Sequence, residues 1–136
     1  MLVLSDDARI TAGVLLLTII AIESGGYFLL ALVQGRLPRT DLQKSFSRAG
    51  HAHAGVLLVL SLVALLYADT ADLSGGWNWL ARSGVPMAAI LMPAGLFLSS
   101  IGSGRTKPNA LVALILAGAA VLALGLGSLG IGLLTA

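Results

Sequence analysis

Four long apolar runs dominate this sequence and leave little choice of fold. They extend from about Ile10 to Gln34, Ala49 to Ala68, Leu80 to Ile101 and Pro108 to Leu134, and a helix crossing the hydrocarbon core needs about 20 such residues. Inside a bilayer the backbone must satisfy its own hydrogen bonds, so only helices and closed barrels cross it. None of the runs alternates apolar with polar residues, and a barrel needs at least about eight such strands. The chain is therefore read as all-α: an integral membrane four-helix bundle forming a single domain. Composition agrees. Of the 136 residues, 57% are hydrophobic and only 10% charged, where a soluble domain carries about 25% charged residues.

Local signals punctuate the runs. Ser5-Asp6-Asp7 supplies an N-cap and an acidic first turn to the first helix. Thr40 or Asp41 caps an amphipathic lead-in to the second, with Leu42 and Phe46 on one side. Pro108 suits the first turn of the fourth, and Pro86 and Pro93 are expected to kink the third. The stretch Met1 to Arg9 lacks the basic start and small-residue cleavage site of a signal peptide, so the first run reads as a true span.

The positive charges orient the bundle. Arg36, Arg39, Lys44 and Arg48 lie in or beside the first loop, and Arg105 and Lys107 in the third. Only Arg9 and Arg82 lie on the opposite side. The positive-inside rule then puts loops one and three in the cytoplasm and both termini outside, with Trp77 and Trp79 of the second loop in an outer aromatic belt. No basic tract neutralises phosphates, which argues against nucleic acid as a partner. The absence of cysteine removes disulfides and thiolate metal sites. No phosphate-cradling loop or nucleophile with an adjacent base occurs, so the chain is not expected to be an enzyme on its own.

The fourth run is uncharged and holds Gly118, Gly125, Gly127, Gly130 and Gly132. Gly118, Gly125 and Gly132 form a smooth stripe for close backbone approach. That stripe serves either packing within the bundle or docking to a second copy or a larger membrane complex.

Two polar features interrupt the apolar spans. Glu23 lies mid-helix in Ile22-Glu23-Ser24-Gly25-Gly26-Tyr27, and Glu23, Tyr27 and Gln34 fall within about 40° of one another on a helix. A carboxyl at that depth costs a few kcal/mol, so Glu23 is expected to face protein and to be protonated or paired. The second feature is Arg48-Ala49-Gly50-His51-Ala52-His53-Ala54-Gly55, which contains both histidines. Residues two apart on a helix point about 200° apart, so His51 and His53 cannot hold one metal from a regular helix. His51 shares a face with Lys44, Ser47, Arg48 and Gly55, and His53 lies alongside Leu57, Leu60 and Ala64. With the histidines about 5–10 Å inside the boundary and Glu23 about 10–16 Å, a Glu23–His53 or Tyr27–His53 contact is within reach. Met87 and Met92 are expected further toward the outer side, which makes an intrachain His/Met haem geometrically poor unless a kink at Pro93 shifts Met92. The candidate cofactor-binding residues are His51, His53, Glu23 and Tyr27, and the candidate metal ligands His51, His53 and Glu23.

The stretch His51-Ala52-His53-Ala54-Gly55 at the start of the second helix resembles small four-helix relatives of haem-copper oxidase subunit I. The resemblance implies that His51 or His53 is an axial ligand of haem. The chain has two histidines in all, so the second axial ligand and the copper ligands have no counterpart, and a bis-histidine haem would need a dimer or a partner subunit. In general plan the chain also looks like small multidrug transporters, which exchange protons for cations at a helix-one glutamate and act as dimers; only Glu23 maps across. The leading expectation is an accessory or redox-associated module whose Glu/His site binds haem, a metal ion or quinone, or relays protons. The alternatives are a structural subunit of a larger complex and a proton-coupled carrier.

Overall fold

A computed structural model describes residues 4–136. Residues 1–3 of the stretch read for a targeting signal lie outside the described residues. Four helices follow in order: α1 (Asp6–Val33), α2 (Asp41–Ala68), α3 (Gly75–Ser99) and, after a 3-10 turn at Ala110–Val112, α4 (Ala113–Thr135). Each is long and apolar enough to cross a membrane, and no strand occurs among the described residues. The protein is an all-α membrane four-helix bundle.

The largest departure from the expected boundaries is at α2. It begins at Asp41, where Ala49 was expected, because Thr40 and Gln43 form a reciprocal capping box ahead of the charged turn. The amphipathic lead-in is continuous with the span, giving a helix of 28 residues, about 42 Å long. α3 likewise starts early, at Gly75, so Trp77 and Trp79 stand on its exposed first turns instead of in a loop. Pro108 is not the first helical residue. Asn109 is the cap, accepting from the Leu111 N–H at 2.8 Å and donating to the Leu98 carbonyl at 3.0 Å.

The helices stand in serial order. α3 packs against α2 and α4, while α1 rests on α2. Of α1 only Ala8 and Leu32 are buried, and the core of small residues (Ala64, Ala68, Ala81, Val85 and Leu129) belongs to the other three. α1 is thus an edge helix with most of its surface toward lipid.

Small residues set the tight α3–α4 seam. A Cβ built on Gly84 would stand 2.6 Å from Gly125 Cα, and one on Gly125 would stand 2.8 Å from Gly84 Cα. Gly118 receives Met92 and Gly132 receives Leu73. The stripe on α4 is therefore occupied within the chain: of the two uses expected for it, it serves packing within the bundle and is not left open for docking. Lipid tails are as apolar as leucine, so close van der Waals contact, not water exclusion, drives such packing. Gly127 and Gly130 face open space.

Polar clasps close both ends. At the basic end the buried Gln43 amide donates to the Ser100 carbonyl at 3.0 Å and the Gly102 carbonyl at 2.7 Å, while Thr40 donates to the Arg105 carbonyl. At the opposite end Asp69 receives the Ser5 N–H (2.8 Å), the Ser5 hydroxyl (2.9 Å) and Arg82 (2.6 Å). Arg82 is further oriented by Asn78 at 2.9 Å. Burial alone would raise the Asp69 carboxyl, but the Ser5 and Arg82 donors outweigh it and hold it below its usual value of 3.8.

Candidate functional site

The two histidines occupy opposite flanks of α2, as a 100° advance per residue requires, but their neighbours differ from those expected. His51 is the histidine that meets α1. A Cβ on Gly25 would stand 3.3 Å from His51 Nδ1, so the bare Gly25 backbone makes room for the ring. Glu23, Gly26, Tyr27, Leu30 and His51 line one open cleft of about 410 Å³. Glu23 lies ten residues from the end of α1, and His51 ten residues from the start of α2. Each is therefore about 15 Å along its helix from the basic end. The histidine that shares a cleft with Glu23 and Tyr27 is His51, where depth alone had put His53 within reach.

Glu23 does not face protein as expected. It is exposed on the flank of α1, beside Tyr27, which is 80% exposed. The cleft is walled by α1 and α2 alone and opens toward what is lipid in the membrane. Water is scarce at that depth, and a polar group there is costly unless another group satisfies it. The side chains on hand are the Tyr27 hydroxyl and the His51 imidazole, one a donor and the other a donor or acceptor by tautomer.

His53 lies in a separate groove of about 360 Å³ between α2, α3 and α4, lined by Ala52, His53, Val56, Leu57, Met92 and Leu122. Its Nδ1 is 2.7 Å from the Ala49 carbonyl. A carbonyl only accepts, so Nδ1 carries the hydrogen and the neutral ring presents the Nε2 lone pair. His53 lines a groove whose other lining residues are apolar apart from the Met92 thioether.

Met92 was expected further toward the outer side than the histidines, and the structure places it close to the level of His53. Phe97 of α3 lies on Gly50 of α2, within 2.8 Å of an added Cβ. Counting five residues from that contact along the two antiparallel helices sets Met92 level with Gly55, two positions from His53. His51, Ala52, Gly55, Val56 and Val59 form a shallow furrow joining the two sites across the outer surface of α2.

His51, His53 and Glu23 do not converge as one metal set, and no three His, Cys, Asp or Glu side chains do so among the described residues. What the helices bring together is Glu23, Tyr27 and His51 on one side, and His53 with Met92 on the other. Sequence reasoning missed the second pairing and the Asp69–Arg82 clasp. Thr40-x-x-Gln43, the capping box that lengthens α2, is the signal for where that helix begins.

Fold and site define a class: a four-helix integral membrane protein with two separate polar sites in the basic-end half of its apolar helices. No protein-family profile matches the chain, and neither a curated protein nor a solved structure shows significant similarity to it.

Proposed function

We propose that this protein is a membrane-embedded, redox-associated accessory module. In this reading the Glu23–Tyr27–His51 cleft handles protons, and the His53–Met92 groove holds a cofactor. The observation that carries it is the His53 ring: its Nδ1 is engaged by Ala49, and the residue lines an apolar groove together with Met92. Imidazole and thioether are together the donor set of a haem or of a soft metal ion. A haem held there would supply one-electron chemistry. The chain's own contribution is to fix the tautomer of His53, keep water from the groove with Val56, Leu57 and Leu122, and seat Met92 on Gly118.

Glu23, Tyr27 and His51 support proton handling because two helices bring ionisable groups to one depth, and such groups inside a membrane mark ion or proton paths. The resemblance to haem-copper oxidase relatives narrows to His53, since His51 is turned to α1. The expected test is quantitative: haem and metal analysis of detergent-purified protein finds about one cofactor per chain in wild type and loses it in His53→Ala. Wild-type protein free of both haem and metal overturns the cofactor reading.

Sidedness belongs to the same proposal. The basic end, with Arg36, Arg39, Lys44, Arg48, Arg105 and Lys107, is cytoplasmic. The lack of native cysteine makes labelling clean. In intact cells a membrane-impermeant maleimide is expected to label Ser74→Cys, and to label Ser103→Cys only after permeabilisation. The reverse pattern contradicts the orientation.

A further inference from the structure

A third cleft, on the other side of the α1–α2 hairpin from Glu23, carries a different chemistry. It opens at the basic end between α1 and α3, over the first turns of α2, and has a volume of about 260 Å³. Two of the chain's three phenylalanines, Phe28 from α1 and Phe97 from α3, line it. Phe97 is held in place by its contact with Gly50, where a Cβ would intrude to 2.8 Å. Ser47 lines the same cleft, is only 6% exposed, and makes no side-chain hydrogen bond among the described residues. Gln43 beside it is not available as a donor, because both its N–H groups are engaged by the Ser100 and Gly102 carbonyls. Arg39 stands at the mouth with no ion-pair partner among the described residues.

The Ser47 hydroxyl is not sealed in the core but reaches the cleft surface, where it is free to donate to an incoming acceptor. The free donors are Ser47 and Arg39, and the walls are aromatic. A matching ligand therefore has acceptor oxygens on a flat ring. The volume sits just below the usual range for small-molecule sites, about 300–1,000 Å³, and suits a single ring. A second cleft, of about 300 Å³, lies between the same two helices toward the acidic end, with Thr11, Leu65, Met87 and Ile90 among its walls. An apolar tail directed from the first cleft toward the second would run between α1 and α3.

We propose that the Phe28–Phe97–Ser47–Arg39 cleft binds the head of a membrane-soluble quinone. The ring lies against the two phenylalanines, the Ser47 hydroxyl and Arg39 guanidinium donate to its carbonyl oxygens, and the tail runs between α1 and α3. A phospholipid phosphate shares the acceptor oxygens but has no use for aromatic walls. The site shares no residue with the His53 groove or the Glu23 cleft, so it stands or falls separately from the function proposed above.

The test is equilibrium binding of a benzoquinone with a decyl tail to the full chain in nanodiscs containing phosphatidylglycerol. Saturable binding of one quinone per chain is expected. Ser47→Ala is expected to weaken it about fivefold, the worth of one neutral hydrogen bond, and Phe28→Ala about tenfold through lost ring contact. Phe28 is 38% exposed, so its loss leaves the packed seam intact. His53→Ala is expected to bind as wild type does. Non-saturable uptake, equal affinity in all variants, or a retained phosphatidylglycerol that the quinone fails to displace would each overturn the assignment.

Discussion

Gly125→Leu is expected to abolish the folded bundle in mild detergent, with a loss of at least about 3 kcal/mol. The atoms an added Cβ meets are Gly84 Cα at 2.8 Å and the Leu80 carbonyl at 3.0 Å. Both are backbone, so no rotamer change relieves the clash and α3 and α4 must separate. Gly125→Ala is already expected to lower the thermal midpoint clearly. Gly127→Ala, two residues along the same helix, meets nothing within 4 Å. It is expected to be neutral or mildly stabilising, since alanine exceeds glycine in helix propensity. Equal midpoints for the two alanine variants would show that the seam is not where the backbone approach puts it.

The second large effect is at the opposite end. Asp69 and Arg82 are largely buried, with side-chain exposures of 10% and 25%. Removing one member of a fully buried pair costs about 3–5 kcal/mol. Because Arg82 keeps some solvent, Asp69→Ala is expected to cost about 2–3 kcal/mol. The variant also frees the Ser5 cap of α1, the helix with the least packing of its own. The effect has a defined pH dependence. The folded carboxyl lies below its ordinary 3.8, so its contribution is complete above that value and disappears as pH falls through the depressed one. Thermal midpoints of wild type and Asp69→Asn are expected to differ at neutral pH and to converge as the pH drops below about 4. A gap that persists unchanged in acid would remove Asp69 from this role.

The spans were legible because nothing but a helix buries so many apolar residues in lipid. Ser5 and Thr40 were legible as caps by residue type and position. Less legible was which surface of each helix meets protein. In a bilayer the lipid-facing and protein-facing sides are both apolar, so α1 carries no pattern that marks it as an edge helix, and Glu23 was assigned to the interior. The opposed directions of His51 and His53 follow from helix periodicity alone. Their partners depend on how the neighbouring helices pack, and the charged turn around Lys44 and Arg48 disguised the helix that the capping box extends. The glycine stripe announced a close approach, but not whether its partner was α3 or another chain; Gly84 supplied the answer.

The central claim is that His53, on the groove it shares with Met92, is a cofactor ligand, and one measurement addresses it directly. It is a reduced-minus-oxidised absorbance spectrum of the protein purified from its native membrane, compared with His53→Ala and His51→Ala. The account predicts a haem-type or metal-centred difference band in wild type that survives His51→Ala and vanishes in His53→Ala. A wild-type protein with no difference band, or a band that persists in His53→Ala, would contradict it.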